Sequence, residues 1–259
     1  MKIPIYQVDA FTSEIFRGNP AAVCPLEEWL PDETMQAIGE ENNLSETAFF
    51  VRKGNLFGIR WFTPEMEVDL CGHATLASAH VIFNHLKYPR RQITFQSKSG
   101  ELRVQRREDV LQMDFPAFDP VPIATPAALI RGLHRKPREV FKGRDILSVF
   151  DTEAEIVALN PNFEELKKLD CLGVIATARG ERSDFVSRFF APWAGINEDP
   201  VTGSAHSLLI PFWSKRLNKN KLHAYQVSKR SGELFCEYLG DRVLIAGRAV
   251  TFFVGTIKI

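Results

Sequence analysis

The feature that most constrains the fold is a motif that occurs twice, about 130 residues apart. The stronger copy runs Glu198-Asp199-Pro200-Val201-Thr202-Gly203-Ser204-Ala205-His206, and the weaker copy is Asp69-Leu70-Cys71-Gly72-His73-Ala74-Thr75. Each copy follows an aromatic, strand-like segment (residues 60–64 and 188–192) and opens a strongly apolar helical stretch. An internal repeat of this kind indicates a duplicated architecture. The sequence therefore predicts two similar domains, each with the motif at a helix N-terminus.

Composition and charge exclude several classes of partner. The chain has 259 residues, of which 32 are basic and 32 acidic. Nucleic acids and anionic membranes need a basic surface, so this balance argues against both. The N-terminus alternates like a strand, and no apolar stretch approaches the length of a membrane span. The four cysteines are scattered, with no zinc-binding spacing. We therefore expect a cytoplasmic protein with no nucleic-acid partner, no membrane partner and no metal site.

Short strands dominate the predicted secondary structure. Most segments are β-branched or aromatic and are bounded by Gly, Pro, Asn or Asp, and one of these predicted strands covers residues 155–159. Helices are predicted over 31–41, 74–86 and 205–217, and Pro211 is expected to kink the last of these or end its first part. The second and third helices are apolar on nearly every face, as in helices that lie inside a domain. The pattern predicts an α+β fold in which short strands surround an internal helix, twice.

The boundary between the two domains is predicted near residue 118. The stretch 115–122 contains three prolines and is typical of a connecting segment. The predicted domains are therefore 1–118 and 119–259. The last strand, residues 250–259, could return to pair with the first domain, and the sequence leaves this open.

The two glycine turns are candidate anion-binding sites. A helix N-terminus has unpaired N–H groups and a partial positive charge, and it can hold a carboxylate. Gly72 and Gly203 allow close approach of a ligand, and the neighbouring His73 and Ser204 add side-chain donors. The alternative is that both glycines only form turns and that Ser204 only caps its helix. Their matching positions in a repeat favour a function.

Two acidic residues are further candidates. Asp199 precedes a proline and is either a turn former or a residue that faces the same ligand as Gly203. Glu46 lies at the start of an aromatic strand, where a carboxylate can act as a general acid or base, although it could also be an exposed loop residue. His73 has no partner at metal-ligand spacing. His206, one turn into its helix, is expected either to pack within the helix or to support a neighbouring site residue.

These blocks resemble the signature of a known family. Asp9-Ala10-Phe11-Thr12, Gly18-Asn19-Pro20-Ala21-Ala22-Val23, Ser45-Glu46-Thr47-Ala48-Phe49 and the two repeat motifs look, in this order, like the blocks of the PhzF family of phenazine-biosynthesis isomerase-like proteins. The resemblance implies the diaminopimelate-epimerase fold, with two pseudo-symmetric domains that each wrap a β-barrel-like sheet around a central helix. It also implies a homodimer and a small carboxylate substrate in the cleft between the domains. The expected chemistry is proton transfer without a cofactor.

The resemblance also assigns roles to residues. The glutamate of the S-E-T block, here Glu46, is implied to move a proton between carbons and thereby shift a double bond. The implied substrate-binding positions are Gly72, His73, Asp199, Gly203 and Ser204.

A substitution in the repeat bears on the reaction type. Epimerases of the same fold use two opposed cysteine thiols, whereas this chain has Cys71 at one position and Thr202 at the other. A threonine hydroxyl is too weak an acid or base to replace a thiolate without activation. We therefore predict a cofactor-independent isomerase. The alternatives are an epimerase or racemase of an amino acid or hydroxy acid, and a non-catalytic protein that binds a small carboxylate.

Overall fold

The chain divides into two compact units. A computed structural model describes residues 1–259. Unit 1 consists of Met1–Asp114 and Ala246–Ile259, and unit 2 consists of Phe115–Ile245. The boundary expected near residue 118 lies a few residues beyond this division, and the C-terminal segment belongs to unit 1.

The elements are mostly strands, with few helices, as the sequence predicts. No helix is both long and apolar enough to span a bilayer. The helices are α1 (Asp32–Asn42), α2 (Gly72–His80), α3 (Ala127–Leu133), α4 (Glu153–Val157), α5 (Phe163–Leu166) and α6 (Gly203–Leu217), with a π-helical turn at Val81–His85 and a 3₁₀ turn at Pro192–Ala194. The strands are β1 (Lys2–Ala10), β2 (Asn19–Leu26), β3 (Glu46–Lys53), β4 (Leu56–Phe62), β5 (Glu67–Val68), β6 (Gln92–Ser97), β7 (Gly100–Arg107), β8 (Val110–Pro116), β9 (Val121–Pro122), β10 (Glu139–Lys142), β11 (Ile146–Val149), β12 (Val174–Arg179), β13 (Phe185–Ala191), β14 (Ile196–Asp199), β15 (Lys221–Gln226), β16 (Gly232–Tyr238), β17 (Arg242–Gly247) and β18 (Ala249–Lys258).

In unit 1 a buried helix packs against a mixed sheet. β2 pairs in parallel with β3, and β3 pairs antiparallel with β4. β1 pairs with β2 on one side and, along its full length, with the C-terminal β18 on the other. Every residue of α2 from His73 to Ala79 is buried, and the helix contacts β1, β2, β3 and β18. Its Ala and Ser side chains are small, which lets the surrounding strands approach closely.

Unit 2 repeats this pattern with its own strands. β11 pairs in parallel with β12, and β12 pairs antiparallel with β13, in the same order as β2, β3 and β4. The central helix is α6, which is buried continuously over residues 205–211 and contacts β15 and β16. The two motif copies thus begin equivalent helices, one in each unit.

The predicted strand at 155–159 is wrong, because this segment belongs largely to helix α4. Thr152 caps the helix, since its Oγ1 accepts a hydrogen bond from the Glu155 backbone N–H at 3.3 Å. The Glu155 carboxylate in turn accepts one from the Thr152 N–H at 3.1 Å. This reciprocal pair is a capping box, which satisfies helix N–H groups that otherwise have no partner. The Thr-x-x-Glu spacing was the signal that outweighed the local β-propensity.

Two effects were expected of Pro211, a kink or an end to the first part of the helix, and the second is wrong because α6 runs through it from Gly203 to Leu217. A proline lacks the N–H that would bond the carbonyl four residues earlier, which here is Ser207. That carbonyl instead accepts a hydrogen bond from the Phe118 N–H at 3.0 Å. A donor distant in sequence therefore compensates for the proline.

Candidate active site

Glu46 and His73 form a nearly buried pair in unit 1. Glu46 is the first residue of β3, and His73 is the second residue of α2. The distance from His73 Nε2 to Glu46 Oε2 is 3.1 Å, and the two side chains are 5% and 12% exposed. Neither atom has a further hydrogen-bond partner. Each is therefore the other's only close polar contact.

The other ring nitrogen of His73 lies among two further side chains. Nδ1 is 3.1 Å from Asn19 Nδ2 and 3.5 Å from Cys71 Sγ. Asn19 is fully buried and follows a tight turn, where Gly18 has a φ of 64°. A Cβ on Gly18 would lie 2.2 Å from the Ala10 carbonyl oxygen, so this turn requires glycine. The sequence did not assign Asn19 a role, because its contact with His73 spans 54 positions.

The charges around His73 favour its protonated form. Burial alone would lower the pKa of His73, but its acidic neighbours Cys71 and Glu46 outweigh this effect and raise it well above its usual value. Burial raises the pKa of the Cys71 thiol to about 11, so Cys71 is uncharged near neutral pH. Glu46 is therefore the partner that supplies negative charge under these conditions.

In unit 2, the second motif copy holds its loop through a compact hydrogen-bond network. Thr202, the N-cap of α6, donates from Oγ1 to Oδ2 of Asp199 at 2.5 Å. Gln226 donates from Nε2 to the Asp199 carbonyl at 2.7 Å and accepts at Oε1 from the Thr202 N–H at 2.9 Å. These bonds fix the loop that leads into Gly203 and Ser204, the first two residues of the helix. Gln226 was not predicted, because nothing in the local sequence links it to a motif 24 residues away.

Comparison with known proteins shows the family. A family model described as phenazine biosynthesis-like protein, PhzC-PhzF, matches residues 8–255. The chain belongs to this family. It is 53% identical over 259 residues to an uncharacterized isomerase of Pseudomonas aeruginosa, with 100% of both chains covered. A crystal structure of a PhzF-family protein from Enterococcus faecalis gives a TM-score of 0.98 at 50% identity, again over 100% of both chains. The PhzF resemblance and the predicted fold class are thus confirmed.

The fold extends to more distant proteins. A predicted epimerase from Pseudomonas aeruginosa gives a TM-score of 0.77 at 20% identity, covering 98% of this chain and 99% of the other. At that identity the likeness shows the fold alone.

The PhzF repeat is symmetric in its framework. In unit 1, Arg60 binds Glu67 through two parallel contacts, Nε to Oε1 and Nη2 to Oε2, both of 2.7 Å. In unit 2, Arg188 binds Glu198 in the same way at 2.7 and 2.9 Å. Such two-point contacts fix geometry as well as charge. Each pair joins the aromatic strand to the short strand that precedes the motif helix.

The repeat is not symmetric at the position of the predicted base. In unit 1, Arg60 on β4 pairs with Phe49 on β3, and Phe49 lies three residues after Glu46. In unit 2, Arg188 on β13 pairs with Ala176 on β12, and Ala176 lies three residues after Gly173. Gly173 is therefore the counterpart of Glu46. A Cβ on Gly173 would lie 2.2 Å from Cζ of Phe189, so unit 2 has no room for a side chain there. Of these two equivalent positions, only the one in unit 1 therefore carries a carboxylate.

His206 is a packed residue of α6. It is fully buried, and its Nδ1 lies 2.8 Å from the Thr202 carbonyl oxygen. Burial lowers the pKa of His206 to about 4, which keeps the ring neutral. At the equivalent position in unit 1, Thr75 donates to the Cys71 carbonyl at 2.5 Å. Both side chains thus bind the N-cap carbonyl of their helix, in agreement with the packing role expected for His206.

The structure groups the six predicted site residues by unit. At the start of α2 it brings together Glu46, Gly72 and His73, and at the start of α6 it brings together Asp199, Gly203 and Ser204. Their assignment to catalysis and substrate binding stays a prediction.

Proposed function

We propose that this PhzF-family protein is a cofactor-independent cytoplasmic isomerase that moves a proton on a small carboxylate and thereby shifts a double bond. The observation that carries the proposal is the Glu46–His73 pair, with 3.1 Å between two nearly buried side chains. The isomerase name of its 53% identical relative supports the reaction class. The four free cysteines are typical of a reducing compartment.

Glu46 is the proton carrier in this proposal. Its carboxylate removes a proton from a carbon next to a double bond, and the electron pair of the broken C–H bond enters the new double bond. The electrons of the old double bond then take the proton back from Glu46 at the distal carbon, so that no net charge or electron is transferred. A positioned base of this kind typically contributes about 10²- to 10⁴-fold to the rate.

The start of α2 stabilises the charge that develops during this transfer. The His73 ring can offer an N–H donor, and the first N–H groups of α2 have no partner within the helix. A helix N-terminus carries roughly half a positive charge, which favours a carboxylate. Donors that are preorganised in this way are often the largest contribution to catalysis. In unit 2, the fixed loop before α6 supports Asp199, Gly203 and Ser204 as substrate-binding residues.

Epimerisation is the second candidate, because Cys71 retains the thiol position of the fold. Two features disfavour it. Burial raises the pKa of Cys71 to about 11, which makes it a poor base near neutral pH. The equivalent position in the other copy of the repeat is Thr202, whose hydroxyl is engaged with Asp199. Incubation in D₂O separates the reactions, since isomerisation moves the double bond whereas epimerisation only inverts a labelled centre.

Substitution of Glu46 tests the proposal. Candidate unsaturated carboxylates are incubated with the protein in D₂O, and NMR follows deuterium uptake and migration of the double bond. We expect Glu46→Gln to lower turnover by about 10²- to 10⁴-fold with little loss of ligand affinity, because the amide keeps the shape but cannot accept the proton. Glu41→Gln is the matched control, since Glu41 is exposed. If Glu46→Gln behaves like the parent with every substrate that turns over, the assignment of the base is wrong.

A further inference from the structure

Thr202 occupies the N-cap of α6, but its side chain does not cap the helix. A threonine at this position commonly accepts a hydrogen bond from an N–H group of the first helical turn. Here the hydroxyl group instead donates to Oδ2 of Asp199 at 2.5 Å. The residue is 6% exposed, so water hardly competes for this bond. A cap that is given up at the start of the central helix indicates that the hydroxyl group serves Asp199 rather than the helix.

Gln226 fixes the direction of this hydrogen bond. Its Oε1 lies 2.9 Å from the backbone nitrogen of Thr202, which can only donate, and its Nε2 lies 2.7 Å from the Asp199 carbonyl oxygen, which can only accept. These two contacts determine the orientation of the amide. Nε2 then donates its second proton to Oγ1 of Thr202 at 3.2 Å. Because Oγ1 accepts from Gln226, the hydroxyl proton is directed to Asp199.

We propose that Thr202 is a positioning residue of the isomerase, whose hydroxyl group, oriented by Gln226, holds the Asp199 carboxylate ready to bind substrate. This inference rests on the proposed function, in which Asp199 is a substrate-binding residue. Thr202 acts through Asp199 and takes no part in the proton transfer. A thiol is only a weak hydrogen-bond donor, so a cysteine could not hold the carboxylate in this way. The hydroxyl group at this position of the repeat therefore supplies a function that a thiol lacks.

The sheet of unit 2 places these side chains precisely. Asp199 is the last residue of β14 and Gln226 is the last residue of β15, and both strands pair with β13. Asp199 lies opposite Phe189, and Gln226 lies opposite Ser187. Gln226 is fully buried. Groups carried on packed strands hold a geometry more exactly than groups on loops, so the main chain at Asp199 is fixed by the sheet and its carboxylate by Thr202.

The hydrogen bond from Thr202 has two effects on Asp199. A donor that faces a carboxylate stabilises the ionised form, and such charge-assisted bonds are short, as this one is. The bond also restricts rotation of the side chain before any ligand arrives. A side chain that is already ordered loses less conformational freedom when a ligand binds, so the ligand binds more tightly. Loss of the hydroxyl group should therefore weaken substrate binding and leave the chemical step unchanged.

NMR of the Asp199 carboxyl group tests the contact without a substrate. The full-length protein is labelled with ¹³C at its aspartate carboxyl groups, and the Asp199 signal is identified by its absence in Asp199→Asn. As the pH is lowered, Asp199 should become protonated at a higher pH in Thr202→Val than in the parent, because valine has the same shape but no donor. Thr202→Ser keeps the hydroxyl group and should follow the parent. Gln226→Met, which leaves the hydroxyl group without its orienting partner, should lie between them.

Steady-state kinetics test the consequence for binding. With any substrate that turns over, Thr202→Val should raise KM by about 3- to 10-fold, the cost of ordering one side chain, and change kcat by less than about 2-fold. Thr202→Ser should restore the KM of the parent. Ser228→Ala is the matched control, since the Ser228 hydroxyl group anchors the same loop at the Pro200 carbonyl, at 2.8 Å, rather than at Asp199. It should leave both the NMR titration and KM unchanged.

Three outcomes would overturn the positioning role. They are a parent-like NMR titration in Thr202→Val, the same changes in Ser228→Ala as in Thr202→Val, or a fall in kcat without a rise in KM. Circular dichroism verifies that each variant is folded, and Thr202→Ala replaces Thr202→Val if the valine variant unfolds. Parent-like turnover in Glu46→Gln would contradict the proposed base but leave the NMR result in place. Turnover that depends on Glu46 together with a parent-like Thr202→Val would remove the positioning role alone.

Discussion

Replacement of Arg188 by methionine should destabilise the protein strongly, because this side chain satisfies several groups at once. Its side chain is 11% exposed and binds Glu198 through two contacts. Nη1 also donates to the carbonyls of Ile156, Val157 and Leu159 at 3.2, 3.4 and 2.7 Å. Methionine fills a similar volume but offers no donor. The substitution therefore leaves a carboxylate and three carbonyls without their cation.

The expected cost can be bounded from this geometry. Removal of one partner of a buried ion pair costs about 3–5 kcal/mol. The Glu198 side chain is 23% exposed and can regain water, so we expect the lower end, about 3 kcal/mol. Glu198→Gln should cost less, about 1–2 kcal/mol, since Arg188 keeps its three carbonyls. The double variant should cost less than the sum of the two, with a coupling of about 1–2 kcal/mol.

Urea denaturation measures these differences. A two-state free energy is taken only where circular dichroism and tryptophan fluorescence give coincident transitions. Arg182→Met is the matched control on an exposed arginine and should change the unfolding free energy by less than about 0.5 kcal/mol. If Arg188→Met costs no more than this control, or if the two substitutions are additive, the framework role of the pair is refuted.

Three further outcomes are expected. The raised pKa of His73 stabilises the folded protein fully below the unfolded pKa of 6.5, and this stabilisation is lost as the pH rises through the folded pKa. In urea denaturation between about pH 6 and 9, the unfolding free energy of His73→Gln should therefore fall less than that of the parent. Gly173→Ala should cost about 1–3 kcal/mol, because its Cβ would overlap the ring of Phe189, and a melting temperature unchanged from the parent would contradict this packing. The homodimer expected from the family resemblance should depend on the exposed aromatic residues of β18, of which Phe252 and Phe253 are 45% and 47% exposed. We expect light scattering to show that the double variant Phe252→Ser, Phe253→Ser is a monomer. A dimer of unchanged affinity would show that these residues are not part of the dimer interface.

The sequence predicted the parts of the protein whose structure follows directly from a local pattern of residues. The repeated motif correctly located the two buried helices, since an all-round apolar stretch can only be satisfied inside a domain. The capping box at Thr152 was also present in the sequence, but the β-branched and apolar residues after it favoured a strand. The error at α4 thus arose from two competing local signals.

The remaining features depend on contacts that no local pattern contains. Asn19 reaches His73 across 54 residues, and Gln226 reaches Thr202 across 24. Both are side-chain amides, which occur throughout protein surfaces and carry no periodic signal. The contact between Glu46 and His73 likewise arises only when β3 is placed beside the start of α2. Side-chain chemistry was therefore predictable residue by residue, whereas its assembly was not.

The hydrogen bond from the Phe118 N–H to the Ser207 carbonyl has a consequence for the stability of unit 2. A helix interrupted by Pro211 cannot satisfy that carbonyl by itself, and a buried acceptor without a donor costs about 1–3 kcal/mol. The central helix therefore reaches its full stability only with the proline-rich segment in place. A chain cut after residue 118 would lose the donor, so we expect unit 2 cut there to be less stable than the intact chain, and the entry segment is part of the unit rather than a flexible linker.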